Sequence, residues 1–191
     1  MYIDRILYPI GTLGPGTRLV IWTAGCSKQC KGCANPELWN CHNGQNISVD
    51  ILFEKIIKCF DTQNIDGITI TGGDPCEQMD ELIELTTLFR GITEDILVYT
   101  GYTYDELRSS MDKLKWEKCR ENISVLIDGR YEEDKNSPDC VLRGSSNQQI
   151  IFLNVDDKLH SKYSEYLKQG RKIQNVVYKN KIISVGIHNK I

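Results

Sequence analysis

Apolar runs of strand length alternate with runs of helical period along most of the chain. Thr17–Thr23 is almost continuously apolar and predicts a buried strand. Ile51, Leu52, Ile56, Ile57 and Phe60 recur at helical spacing and predict an amphipathic helix. Gly67–Thr71 reads as a second strand, and Leu82, Ile83, Leu85, Leu88 and Phe89 as the stripe of a second helix. Asp95–Thr100 predicts a third strand, and Thr103 with Glu106 has the spacing of a capping box that opens a short helix. Ile123–Ile127 and Gln149–Leu153 complete the strands. Such alternation predicts an α/β fold, with about five parallel strands and helices on the outer face of the sheet. Five strands are too few to close an eight-stranded barrel, so the expected form is a partial or open one.

Ligand sites of parallel sheets gather at the C-terminal ends of the strands. Gly25 and Cys26 come directly after the first strand, Gly72-Gly73-Asp74-Pro75 after the second, Gly101-Tyr102 after the third and Asp128-Gly129-Arg130 after the fourth. Four polar or glycine-rich turns are thus expected on one rim. In the tail, Leu159–Lys168 reads as a helix. Val176–Val177 and Ile182–Val185 flank Tyr178-Lys179-Asn180-Lys181, a hairpin with Asn180 in its turn. The hairpin is expected to extend or cap a sheet edge. The expected organisation is a core over residues 1–155, with a C-terminal extension over 156–191 packed on the same domain.

Composition narrows the function. At 191 residues, 40% hydrophobic and 26% charged, the chain has the make-up of one globular domain. Its net charge of −3 and lack of basic runs give no sign of nucleic acid or an anionic membrane as partner. No apolar stretch reaches bilayer-spanning length, and the N-terminal residues have no signal-peptide character, so a cytoplasmic location is expected. Eight cysteines in such a chain point to metal binding or redox chemistry before disulfides.

Three of them, Cys26, Cys30 and Cys33, form a C-x3-C-x2-C run. One loop can therefore wrap one metal centre with three thiolates. A structural zinc site would need a fourth ligand, for which Cys41 or His42 is the candidate. A [4Fe–4S] cluster held by three thiolates instead keeps one iron open for a ligand. Both readings stand on spacing alone. The other cysteines form no second C-x2-C pair.

The cysteine loop after a first strand, followed by Gly-Gly-Asp-Pro after a second, resembles the radical S-adenosylmethionine (SAM) superfamily. Gly14-Pro15-Gly16-Thr17-Arg18, Val98–Tyr102, Leu126–Arg130 and Leu142–Gln148 match, in order, segments of the activases of anaerobic (class III) ribonucleotide reductase. The resemblance spans roughly residues 8 to 150. It implies a partial (β/α)6-type barrel, a [4Fe–4S] cluster on Cys26, Cys30 and Cys33, and SAM on the open iron. It also implies a glycyl radical enzyme as partner, most simply the large subunit of the anaerobic reductase, and a flavodoxin- or ferredoxin-type electron donor.

Residue by residue, the resemblance assigns Gly72, Gly73 and Asp74 to the methionyl amino group, with Thr100 and Gly101 also contacting SAM. Asp128 falls where related activases hold a monovalent cation beside SAM. Ser146 and Asn147 lie in a polar segment suited to ribose, carboxylate or the backbone of a partner. Plainer readings stand beside these. Asp74, Pro75 and Glu77 make a good helix start, Asp128-Gly129 a turn pair, and residues 143–148 a solvated loop. Cys76 reads as a small buried hydrophobe. Trp22 and Trp39 shield the loop or pack in the core, and Lys28, Gln29 and Lys31 shape it. His42, His160 and His188 have no partner at ligand spacing. About 40 residues of tail lie outside the resemblance, which leaves open a radical SAM enzyme acting on a small molecule or peptide, or a non-catalytic iron–sulfur module.

Overall fold

The computed structural model describes residues 1–189; residues 190 and 191 of the expected extension lie outside them. Its strands are β1 (Tyr2–Ile10), β2 (Arg18–Thr23), β3 (Gln45–Asn46), β4 (Gly67–Gly72), β5 (Ile96–Tyr99), β6 (Val125–Asp128), β7 (Gln149–Phe152), β8 (Ile173–Tyr178) and β9 (Lys181–Gly186). The helices are α1 (Val49–Cys59), α2 (Met79–Phe89), α3 (Tyr104–Ser110), α4 (Lys113–Asn122) and α5 (Asp157–Leu167). Among the described residues, one seven-stranded sheet runs β3-β1-β2-β4-β5-β6-β7, and β8 and β9 form a separate two-stranded sheet. Strands β2, β4, β5 and β6 are parallel.

Side-chain alternation divides each central strand between two apolar layers. Leu19, Ile21, Ile68, Ile70, Ile96, Val98 and Leu126 meet Leu52 and Ile56 of α1, Leu82, Leu85 and Phe89 of α2, Leu107 of α3 and Trp116 of α4. The alternate residues face the other way. Val20 and Trp22 join Leu7, Ile10 and Val185, while Leu97, Val125 and Ile127 join Tyr163 and Tyr166 of α5. Helices α1–α4 therefore cover one face, and α5 with the β8–β9 hairpin covers the other. Each fully buried leucine or phenylalanine contributes about 1.5–3 kcal/mol of transfer free energy.

The expected helices and strands form, with differences that have local causes. The Thr103–Glu106 capping box is present at the start of α3. In α1 the buried stripe is Val49, Leu52 and Ile56, whereas Ile51 and Ile57 are exposed. Beyond the two-residue β3, two elements lacked a readable pattern. Strand β1 mixes charges and Pro9 into its run, and α4 is polar apart from Trp116, Cys119 and an exposed Leu114.

The expectation of about five parallel strands is corrected: β7 pairs antiparallel with β6, from Val125↔Phe152 to Asp128↔Gln149. A parallel return needs a crossover to the far end of the sheet, usually a helix. The 129–148 connection carries no α-helix, only a 3-10 turn at Glu133–Lys135, and so β7 starts where β6 ends. The hairpin does not extend the sheet, whose edges are β3 and β7. It packs Val176, Tyr178, Ile183 and Val185 onto the apolar face that Leu7, Val20 and Trp22 present.

The most polar part of the interior lies at the start of β2. Arg18 is fully buried, with Nη1 2.6 Å from Asp95 Oδ2 and Nε donating to Thr69 Oγ1 at 2.7 Å. A buried ion pair holds only when its remaining donors are also satisfied. The carbonyls of Pro15 and Ile68 and the other Asp95 oxygen meet that need.

Candidate functional site

Strands β2 and β4 run in register to Thr23↔Gly72, so their C-terminal ends leave the sheet side by side. The cysteine loop follows β2. Its entry is closed onto the 36–39 turn by Gly25 N–H to Leu38 O (2.8 Å) and Cys26 N–H to Trp39 O (3.0 Å). The turn after β4 is laced to the same entry by Gly73 N–H to Thr23 O (2.8 Å) and Asp74 N–H to Gly25 O (2.7 Å). Two glycines are needed there. Gly72 has φ +113°, and a Cβ on Gly73 would collide with Gly25 O and come within 2.9 Å of Leu38 O.

These turns open onto a cavity of about 640 Å³. Cys26, Cys30, Cys33, Gly72, Gly73 and Thr100 line it. The opposite wall comes from the 129–148 connection, through Gly129, Gly144 and Gln148, and from residues 183–189. The cysteine loop, the double glycine and the end of β5 are thus brought together, as their places after successive strands predict.

Asp74 and Asp128 lie behind this surface. Asp74 is fully buried and accepts from Cys76 N–H (3.0 Å), Thr100 Oγ1 (2.9 Å) and Gly101 N–H (2.9 Å). Burial pushes its carboxyl up to about 6, against the pull of those hydrogen bonds. Its N-cap role on the Pro75–Gln78 turn is present. Asp128 is likewise buried, accepting from Tyr104 N–H (2.7 Å) and Gln149 N–H (3.1 Å). Both carboxylates hold the rim together from beneath.

Ser146 is exposed and Asn147 bonds Arg130 O through Nδ2; neither lines the cavity. Their neighbour Gln148 does, and it pins the connection. Its Oε1 accepts from Gly144 N–H (2.8 Å) and Ser145 N–H (3.2 Å), and its Nε2 donates to Gly129 O (2.8 Å). An amide directly before β7, able to donate and accept at once, was the signal for Gln148. Arg5 was also not foreseen. It lines the cavity, lies 5.0 Å above the Trp22 ring and donates to Asn35 Oδ1. Lys28 sits 3.3 Å over the Tyr102 ring, also on the cavity wall. Cys41 and His42 are off the wall, and Cys76 is a buried core residue.

The donor geometry bears on the two metal readings. Around one tetrahedral zinc at 2.3 Å from each sulfur, thiolates lie about 3.8 Å apart. Among the described residues, the three-donor group within 4.8 Å is Cys26, Asp74 and Glu77, not the three cysteines. In that group Glu77 is engaged by the Ser27 N–H and hydroxyl. The cysteines are free thiols, half-buried and spread along the cavity wall, so they suit a multi-iron cluster better than a single ion. The indole N–H of Trp39, on the same wall, is a buried donor with no protein acceptor.

Comparison with known proteins agrees with this geometry. The profile of the 4Fe-4S single cluster domain family matches residues 12–151. The anaerobic ribonucleoside-triphosphate reductase-activating protein of Enterobacteria phage T4 is 35% identical over 162 residues, covering 82% of this chain and 96% of the relative. The protein of that name from Escherichia coli K12 is 33% identical, covering 76% of this chain and 96% of its own. The one from Vibrio cholerae is 35% identical, covering 75% and 93%. The family match ends before α5 and the hairpin. No helix of the described residues is long and apolar enough to cross a membrane. From its 4Fe-4S single cluster domain and its identity to these relatives, the chain belongs to the family of anaerobic ribonucleoside-triphosphate reductase-activating proteins.

Proposed function

We propose that this chain is a radical SAM activase that places a glycyl radical on an anaerobic ribonucleotide reductase. One observation carries the reading: the C-x3-C-x2-C loop and the Gly72-Gly73 turn face one cavity at the C-terminal ends of adjacent parallel strands. Cys26, Cys30 and Cys33 would hold a [4Fe–4S] cluster, and SAM would supply the ligand that three cysteines leave missing. Once bound and reduced by one electron, that pair would supply reductive S–C5′ cleavage of SAM and, through it, removal of a hydrogen atom from a glycine Cα.

The rest falls to the chain's own residues. Gly72 and Gly73 bring bare backbone up to the cavity, so their carbonyls can receive an ammonium. Asp74 acts from behind, fixing Thr100 and Gly101 against that wall. Lys28 puts a cationic group on the wall, suited to a carboxylate, whereas Arg5 on the same wall is already paired with Asp4 and Glu37. Trp22 and Trp39 line the cavity with ring surface and help exclude water, which protects a reactive radical. Asp128, Ser146 and Asn147 are assigned to holding the rim and its loop rather than to direct ligand contact.

In this reading residues 1–155 form the core, a partial radical SAM barrel opened out as the β2–β6 sheet, and residues 156–191 its extension. A flavodoxin- or ferredoxin-type protein is the expected electron donor. The test is anaerobic reconstitution with iron and sulfide, reduction, and addition of SAM and the reductase. A glycyl doublet in the electron paramagnetic resonance spectrum, together with 5′-deoxyadenosine, is the expected result. Their absence from a protein shown to carry its cluster overturns the reading.

A further inference from the structure

Residues 183–186 of β9 all line the cavity, and no residue of β8 does. Successive residues of a strand point to opposite faces. A surface lying on one face would therefore be lined by alternate residues. Four in a row, with none from the paired strand, place the cavity along the edge of β9. That edge is unpaired, because β8 and β9 are a two-stranded sheet among the described residues. The hairpin register sets which backbone groups look outward. Tyr178 pairs with Lys181 across Lys179 and Asn180, which have φ of 47° and 60°. Both positive values mark a two-residue type I′ turn, whose flanking pair is the hydrogen-bonded one. Counting from Lys181, the N–H and C=O groups of Ile182 and Ser184 point away from β8, on the edge that meets the cavity; at Gly186, with φ of 139°, the backbone leaves the extended form.

We infer that this β9 edge receives an extended, glycine-bearing segment of the partner reductase, paired strand to strand. The inference rests on the activase reading. The residue that must reach the cavity is a glycine, which has no side chain to be read. Recognition then has to come from its backbone, and an unpaired strand edge recognises backbone. Here the edge runs along the cavity that the cysteines line. The element supplying it lies beyond the 12–151 family match, so this chain would carry its own guide for the partner strand.

Hydrogen exchange of the cluster-loaded protein, with and without the reductase, reads the edge directly. The amides of Ile182 and Ser184 are expected to slow at least tenfold on adding the reductase; unchanged exchange at both overturns the inference. Ser184→Pro removes one outward N–H and is expected to weaken reductase binding about tenfold. Asn175→Pro removes the matching outward N–H on the far edge of β8 and is expected to leave binding within twofold. Equal weakening in both variants would make the effect a general loss of the hairpin and overturn the assignment. Protection that grows with the concentration of the chain alone would assign the edge to a second copy, and also overturn it. The glycyl doublet is recorded on the same samples. A doublet with unchanged exchange rejects the strand pairing alone, whereas no doublet from the wild type rejects the activase reading and this inference with it.

Discussion

The Tyr163 hydroxyl donates a 2.7 Å hydrogen bond to Asp95 Oδ1, fastening α5 to the carboxylate that pairs with buried Arg18. The extension is therefore tied into the most polar point of the core. Tyr163→Phe keeps the ring and leaves Asp95 Oδ1 with Arg18 Nη2 at 3.2 Å. It is expected to cost about 1–2 kcal/mol in urea unfolding. Asp95→Ala strands a buried guanidinium and is expected to cost about 3–5 kcal/mol. Equal costs for the two would mean that the ion pair adds nothing beyond the phenol contact.

Asp74 makes stability depend on pH in an unusual direction. Its folded pKa, about 6, lies above the unfolded carboxylate value of about 4. The native state thus keeps its proton to higher pH than the unfolded chain. The contribution is complete below about pH 4 and lost as pH rises through 6, up to about 3 kcal/mol. Other carboxylates add their own slopes, so the measurement is the difference between wild type and Asp74→Asn, both without cluster. That difference is expected to change between pH 4 and 6.5 and to stay flat above. A flat difference throughout would show that the carboxyl titrates normally.

Substituting the cysteines separates the metal readings. Cys26→Ala, Cys30→Ala and Cys33→Ala are each expected to abolish 5′-deoxyadenosine formation and to lower iron content after reconstitution. Cys41→Ala is expected to retain both, because Cys41 lies off the cavity wall. Loss of the cluster in Cys41→Ala would mean a four-cysteine site.

Gly73→Ala tests the close approach of the two turns. The added methyl meets Gly25 O and Leu38 O, backbone atoms that cannot swing aside. The expected cost is about 1–3 kcal/mol of stability, together with weaker SAM binding by equilibrium dialysis. Gly91→Ala, with only Leu88 O at 3.3 Å, is the control and is expected to be nearly neutral. Equal behaviour of the two would remove the packing argument.

Much of this protein is written locally in its sequence. The helical stripe of Leu82, Leu85 and Phe89, the Thr103–Glu106 capping box and the strand run of Arg18–Thr23 depend on neighbours within one or two turns. The cysteine spacing and the Gly72-Gly73 pair are legible for the same reason, and strand order alone places them on one rim. Tertiary structure decided what depends on residues far apart in the chain. The direction of β7 follows from a connection without a crossover helix, and the hairpin lies on the sheet because Leu7, Val20 and Trp22 leave an apolar face to cover. Asp74 turns away from the cavity because Thr100 and Gly101, from another strand, supply its donors. That β9 borders the cavity along its edge, more than 150 residues after Cys26, appears in no local pattern. It arises only when α5 and the hairpin fold back over the sheet.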